Sequence, residues 1–188
     1  LLYSNGYGVP RDHADAARWY RMAAEQGHAE AQWKLGVAYA VGRGVKQDYA
    51  NAAKWYRMAA MQGHADAQCN LGALYSRGKG VQKDDVEAVT WYRKAADQGL
   101  PAAQLGLGLM YAYGRGVMQD DVLADMWLGL SALRFPASEG ELRDKALQIK
   151  DIVASLMTPA QIAESKRRMW EWKPKKGGEG LEVARTAW

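Results

Sequence analysis

Gly6, Gly42, Gly78 and Gly114 each open the same four letters, G-x-G-V, and they stand 36 residues apart. Thirteen residues after each comes a tryptophan: Trp19, Trp55, Trp91 and Trp127. The unit from Gly42 to Arg77, GRGVKQDYANAAKWYRMAAMQGHADAQCNLGALYSR, therefore recurs almost in register on both sides of itself. A period of this length belongs to a solenoid, a stack of supersecondary units none of which can bury its apolar face alone. Such stacks commonly serve as binding surfaces, and the period does not name the ligand.

A chain of 188 residues could form one domain or a short array, and the period decides for the array. Ten Tyr and eight Trp against one Phe place amphipathic rings at the seams between closely packed helices. No apolar run approaches the length of a membrane span. A single cysteine, Cys69, excludes an internal disulfide and a cysteine-based zinc site. The net charge of +4 gathers near the C-terminus, where Lys166, Arg167, Arg168, Lys173, Lys175 and Lys176 face Glu171 alone. A basic tail can meet nucleic acid or anionic lipid, but this one is short, and nucleic acid is not the expected partner. Leu1 to Asn5 match Val37 to Val41, with no Met, cationic start or cleavage motif, so the chain reads as starting inside a repeat. The expectation is that the natural protein continues upstream, and that the start of this chain leaves Leu1, Leu2 and Tyr3 on an uncapped apolar face, a route to self-association.

Each unit reads as two helices. The first spans Ala29–Val41, Ala65–Arg77 and Pro101–Tyr113, where Ala31, Leu35 and Tyr39 and their echoes Ala67, Leu71, Tyr75 and Ala103, Leu107, Tyr111 fall on one stripe. Gly36, Gly72 and Gly108 interrupt it at about 1 kcal/mol each relative to alanine, which predicts a neighbouring helix backbone too close for a side chain. Gly42, Gly78 and Gly114 fit left-handed C-caps, and the second glycine of each G-x-G allows a further tight bend. The second helix starts after Asp12, Asp48, Asp84 or Asp120, a preferred N-cap, with capping-box spacing from Asp84 to Glu87. It ends at Gln26-Gly27, Gln62-Gly63 and Gln98-Gly99.

After Trp127 the pattern decays, with Leu128 in place of Tyr, Ser131 in place of Ala and Phe135-Pro136 in place of Gln-Gly. Two more helices are expected, about 138–157 with a stripe of Leu142, Ala146, Ile149 and Val153, and about 159–172 behind an N-cap at Thr158. They read as the cap that seals the open core of the array. The predicted organisation is residues 1–134 as the array, 135–173 as capping helices and 174–188 as a basic tail with little to fold around.

The run A-Q-x-x-L-G-x-x-Y-x-x-G-x-G-V-x-x-D-x-x-x-A-x-x-W-Y-x-x-A-A-x-Q-G, over about Leu1 to Ala132, resembles the Sel-one-like repeat of the tetratricopeptide superfamily. The ending M-T-P-A-Q-I-A-E…W is similar to the terminal helix of many bacterial members. The resemblance implies an all-α, right-handed α-solenoid of 36-residue antiparallel helix pairs, acting as an adaptor that binds proteins. It favours a bacterial protein, periplasmic or secreted rather than cytoplasmic. It also implies that the first helix of each pair lines a concave groove. Mapped onto this chain, the groove positions are Glu30, Trp33, Val37, Ala40 and Val41; Asp66, Cys69, Ala73, Ser76 and Arg77; and Ala102, Leu105, Leu109, Ala112 and Tyr113. Unlike the shared stripe, these positions differ between units, and their apolar members suit an amphipathic helix or an extended peptide. The alternative has Trp33 and Leu105 packed against neighbouring helices.

Other chemistry is poorly supported. His28 and His64 recur one unit apart, about 10 Å by the usual helix spacing, too far to share a metal with bonds of about 2 Å. The aspartates recur once per unit and serve as caps rather than as a catalytic pair. The G-x-G turns lack a third glycine and follow helices, which argues against a phosphate loop. Ser76-x-x-Lys79 has the spacing of a β-lactamase motif, but Gly78 breaks the helix that motif needs. Cys69 has no recurring His or Asn beside it to suggest a triad. Neither metal nor cofactor is expected, and the leading reading is a non-enzymatic protein–protein interaction module. Disulfide-linked relatives associated with penicillin supply a weaker alternative, a cell-wall or β-lactam enzyme, since their cysteines are missing here.

Overall fold

The computed structural model of the protein describes residues 12–175, and all regular structure among them is helical. Four helices, α1 (His13–Glu25), α2 (Ala29–Val41), α3 (Tyr49–Met61) and α4 (Ala65–Arg77), fall in a first compact unit, Leu1–Asp84. Five more, α5 (Asp85–Asp97), α6 (Pro101–Ala112), α7 (Asp121–Arg134), α8 (Gly140–Ser155) and α9 (Pro159–Glu171), fall in a second, Asp85–Trp188. Within the first unit each helix packs on the next; within the second, α5 packs on α6, α6 on α7, and both α8 and α9 on α7.

The capping chemistry follows the sequence. Asp12 accepts from the amides of Ala14 and Asp15, Asp48 from that of Asn51, and Asp120 from that of Leu123. These bonds, Asp15 first for Asp12 and Asn51 first for Asp48, hold the two carboxyls below their ordinary range. Gly42 and Gly78 close α2 and α4 in the left-handed conformation, at φ of 73° and 65°. Thr158 caps α9 with Pro159 at its first position, and Gln161 completes a capping box that the sequence reading did not anticipate.

The shared stripe is the core. Leu35, Leu71 and Leu107 are each completely buried. Trp55 lies in one cluster with Ala24 and Leu35, against which Tyr20, Ala31 and Tyr39 pack, so the seam is filled by rings as expected. Trp19, the same position one unit earlier, is 56% exposed.

Two expectations about the glycines need correction. A Cβ on Gly36 would sit 2.6 Å from Cδ1 and Cε1 of Tyr56, and one on Gly108 would sit 2.8 Å from Cγ of Leu128. The close neighbour is a side chain of the following helix, with backbone involved only at Gly108, where the Leu128 amide is 3.1 Å away. The second glycine of each G-x-G does more than bend. A Cβ on Gly44 would lie 1.9 Å from the carbonyl oxygen of His13, and Gly80 and Gly116 meet Tyr49 and Asp85 in the same way. The turn of one repeat is seated on the first residue of a helix in the repeat before.

Polar groups repeat as faithfully as the apolar ones. Gln32, Gln68 and Gln104, all buried, donate through Nε2 to the carbonyls of Ala24, Ala60 and Ala96 at 3.1, 3.0 and 3.3 Å. Each adds a second bond to a carbonyl near a helix C-terminus that already accepts from the amide of Gly27, Gly63 or Gly99. Arg21 donates to the Tyr39 hydroxyl at 2.7 Å, Arg57 to that of Tyr75 at 2.6 Å, and Arg93 to that of Tyr111.

The cap differs in detail from its expected form. A 3-10 turn, Ala137–Glu139, precedes α8, and the stripe is only half buried: Ala146 and Val153 are inside while Leu142 is 40% exposed. The decay of the fourth unit has a physical reason. Asp125 stands where Ala17, Ala53 and Val89 stood, and it is 2% exposed. Its Oδ2 accepts from Ser165 Oγ of α9 at 2.5 Å, and Lys150 Nζ of α8 lies 3.1 Å from its Oδ1, an ion pair without an aligned hydrogen bond. Gly129, in the place of the repeated arginine, leaves room for Met169 and Lys150, which a Cβ would meet at 2.6 and 3.3 Å. The residues that break the repeat are those that receive the cap.

The start of the tail is also held. Trp172 meets Trp127 edge to face at 6.0 Å, with the Arg134 guanidinium 4.5 Å from its ring centroid. The Lys175 amide donates to the Asp97 carbonyl at 2.8 Å and its Nζ pairs with the Asp97 carboxylate at 2.6 Å. Pro174 and Lys175 therefore do find something to fold against. Leu1 to Tyr3 and the tail from residue 176 lie outside the described residues.

Two arginines of the basic cluster are paired within α9. Arg167 bonds Glu164 and Glu171, and Arg168 bonds Glu164. The bonds from Arg167 and Arg168 hold the Glu164 carboxyl down at about 2, against an ordinary 4.5. A folded value below the unfolded one stabilises α9 above pH 4.5, and that contribution is lost as pH falls toward about 2. Glu164→Gln therefore lowers stability at pH 7 and flattens the acid limb of a circular-dichroism titration in that window; superimposable wild-type and variant curves would contradict this.

Candidate interaction surfaces

In the first unit the variable positions lie on α2 and α4. Burying the stripe of each helix turns its remaining residues outward. Glu30, Val41, Asp66 and Arg77 are exposed, and Trp33, Val37, Cys69, Ala73 and Ser76 are partly so. Three side chains come together around Trp33. His64 stacks on its ring at 5.1 Å between centroids and 26° between planes, and Lys34 Nζ lies 4.7 Å from the ring centroid. Glu30 pairs with Lys34 Nζ at 2.8 Å and with His64 Nε2 at 2.9 Å.

His64 Nδ1 accepts from the amide of Ala67, so the proton sits on Nε2 and points at Glu30. Through that bond the histidine caps α4, and it also links α4 back to α2, whereas His28 makes no such bond at the start of α2. Partial burial opposes ionisation of Glu30, but the bonds from Lys34 and His64 outweigh it and hold the carboxyl below its ordinary value. Trp33 Nε1 is buried and has no hydrogen-bond partner. Sequence reading singled out Glu30, Trp33 and His64 separately. It missed Lys34 and the cluster, although Glu30 and Lys34 stand at i,i+4, a spacing that pairs on any helix.

Burial, and secondarily the charge of Asp66, pushes the Cys69 thiol up to about 12, so it stays protonated. Ser76 and Lys79 do not share a helix, since Gly78 ends α4 between them; Lys79 Nζ lies 5.0 Å from the Tyr49 ring centroid instead. Among the described residues no group of three His, Cys, Asp or Glu could hold a metal ion, and no helix is long and apolar enough to cross a membrane.

In the second unit the variable face of α6 divides. Tyr113 is 66% exposed and Leu109 is partly exposed, but Leu105 is 8% exposed and belongs to the core. The packed alternative holds for Leu105.

Antiparallel helix pairs that repeat their caps, glutamines and arginine–tyrosine bonds define an α-helical repeat protein. The Sel1 repeat matches residues 1–28, 29–64, 65–100 and 101–134, and the chain belongs to that family. A Sel1 repeat protein from Oxalobacter formigenes shares 34% identity with it, covers 88% of this chain and 69% of its own length, and superposes at a TM-score of 0.67. A second solved structure is c5321, a protective antigen present in uropathogenic Escherichia coli strains and displaying an SLR fold. It shares 24% identity over 91% of this chain and 58% of its own length, with a TM-score of 0.51, a likeness of fold. No curated protein matches the chain. The fold class is the all-α solenoid; such repeats typically serve protein–protein interaction and are generally non-enzymatic.

Proposed function

We propose that the chain is a non-enzymatic protein-binding scaffold whose variable first-helix faces receive a peptide or helix of a partner. One observation carries this reading. On α2 and α4 the residues common to the repeats, Leu35 and Leu71, are fully buried, whereas the residues that differ, Glu30, Trp33, Val37, Val41, Asp66 and Arg77, retain exposure. Apart from the contacts of Glu30 and Trp33 with His64, the common packing makes no call on their variety, so recognition is free to use it. Trp33, Val37 and Val41 supply apolar contact beside the charges of Glu30 and Asp66, which suits an amphipathic helix or an extended peptide. On α6, Leu109 and Tyr113 make the corresponding contribution.

The test is recovery of partners from a lysate of the source cells by wild type and by Trp33→Ala and Tyr113→Ala variants. Loss of a band with either variant, at unchanged melting temperature, supports the reading. Recovery identical to wild type with both variants counts against it. Leu105→Ala is not a probe of binding, because that side chain is in the core.

A further inference from the structure

The last described residues lie on the second unit as a bound peptide would. α9 gives way at Trp172 to extended backbone, φ −66° and ψ 133°, and the chain then meets the turn between α5 and α6. Asp97 is the last residue of α5, so its carbonyl has no partner inside that helix. It accepts from the Lys175 amide at 2.8 Å, and the Asp97 carboxylate takes the Lys175 ammonium at 2.6 Å. Gly99 has no side chain, and a Cβ built there would lie 3.7 Å from both Pro174 Cβ and Trp172 Cη2. Trp127 meets the Trp172 ring edge to face, and the Arg134 guanidinium lies 4.5 Å from its centroid. Lys173, between the anchored residues, is exposed. The site therefore takes an aromatic ring, passes over one residue, and takes a proline and a lysine.

The same turn is open in the first unit. Gly27 and Gly63 stand at the repeat position of Gly99, and a Cβ on either meets nothing within 4 Å. In the second unit the cation on the ring also has another acceptor in its register. Gln62 Nε2, at the end of α3, donates to Gln32 Oε1 of α2 at 2.7 Å, across 30 residues. α6 packs on α7 as α2 packs on α3, and the residue 30 positions after Gln104 is Arg134. Arg134 is at the Trp172 ring, and Gln104 Oε1 is buried with no hydrogen-bond partner among the described residues. A buried acceptor left in that state destabilises the arrangement that leaves it so. The Lys175–Asp97 pair, with the lysine side chain 77% exposed, contributes little against that.

We infer that the turn between α5 and α6, with Trp127 and Arg134, is a recognition site for a partner peptide of the pattern aromatic–x–Pro–Lys, and that Trp172 to Lys175 occupy it in cis until such a peptide displaces them. The seated segment supplies the ligand chemistry directly: an amide and an ammonium for Asp97, a proline ring over Gly99, and an indole for Trp127 and Arg134. Departure of Trp172 leaves Arg134 able to donate to Gln104, which favours exchange over a permanently closed strap. The site shares no residue with the variable first-helix faces of the proposed scaffold, so either surface can fail its test without the other.

Titration of the full chain with acetyl-Trp-Lys-Pro-Lys-amide, followed in proton–nitrogen NMR spectra, tests this. A tethered strap competes at an effective concentration on the order of millimolar, so the wild type binds the peptide weakly. Trp172→Ala empties the ring position and binds it at least tenfold more tightly, with shifts at the Gly99 amide and at Arg134 Nε. Lys175→Ala, at an exposed residue that leaves α9 intact, binds it severalfold more tightly than wild type. Acetyl-Ala-Lys-Pro-Lys-amide does not bind, and Asp97→Asn added to Trp172→Ala weakens binding severalfold. Absence of saturable binding by both strap variants overturns the assignment. So does equal binding of the two peptides, or wild-type binding as tight as that of Trp172→Ala, which would show that the strap and the peptide do not compete.

Discussion

Gly80→Ala destabilises the protein by about 3–5 kcal/mol, combining the left-handed strain on a side chain with the forced shift of a packed backbone. In a chain of this size that lowers the melting temperature by roughly 10 °C. Gly63→Ala costs only about 1 kcal/mol. Both glycines have positive φ, 69° and 90°, so conformational strain is common to the pair. They differ in surroundings. A Cβ at Gly63 meets nothing within 4 Å, whereas one at Gly80 lands 2.2 Å from the carbonyl carbon and 2.3 Å from the carbonyl oxygen of Tyr49. Neither atom can move without displacing the start of α3. Differential scanning calorimetry of the two variants reads the contrast directly, and equal losses would refute the seating of one repeat's turn on the helix of another.

Lys150→Met has the second large effect, about 3–5 kcal/mol, because it leaves the Asp125 carboxylate buried without a cation. Ser165 still donates to Asp125, but one neutral bond does not replace the charge. The double variant Asp125→Val/Lys150→Met, which restores the residue type of Val89 one repeat earlier, returns to within about 1 kcal/mol of wild type. Urea unfolding of the three proteins decides this. A double variant as unstable as Lys150→Met alone would mean that Asp125 and Lys150 are not coupled.

The two cases mark how far sequence reading reaches. Gly80 was visible as a turn residue, because the need for positive φ is local. Its contact with Tyr49 was not, because 31 residues separate them and only the stacking of repeats brings them together. The decay at the fourth unit was visible as a loss of pattern, and Leu128 and Ser131 were noticed, yet Asp125 was passed over. Its partner Ser165 is 40 residues away on a helix that belongs to no repeat. The variable face was legible as a set of positions, since what differs between repeats is not needed by their common packing. Which of those positions remain accessible was not legible. Trp33 keeps partial exposure and Leu105 does not, although both are large apolar residues on first helices.

What the sequence by itself determined is everything governed by short-range rules repeated at a fixed period. Helix boundaries follow from the Asp12, Asp48 and Asp120 caps and the Gly42 and Gly78 terminators, which act within a few residues. The core follows from Leu35, Leu71 and Leu107, which share one helical phase. Tertiary structure alone decided the pairings between distant segments: Glu30 with His64, Asp125 with Lys150 and Ser165, and Lys175 with Asp97, 78 residues apart. A hydrogen bond or ion pair of about 3 Å depends on how helices are placed, and no periodicity along one helix carries that information.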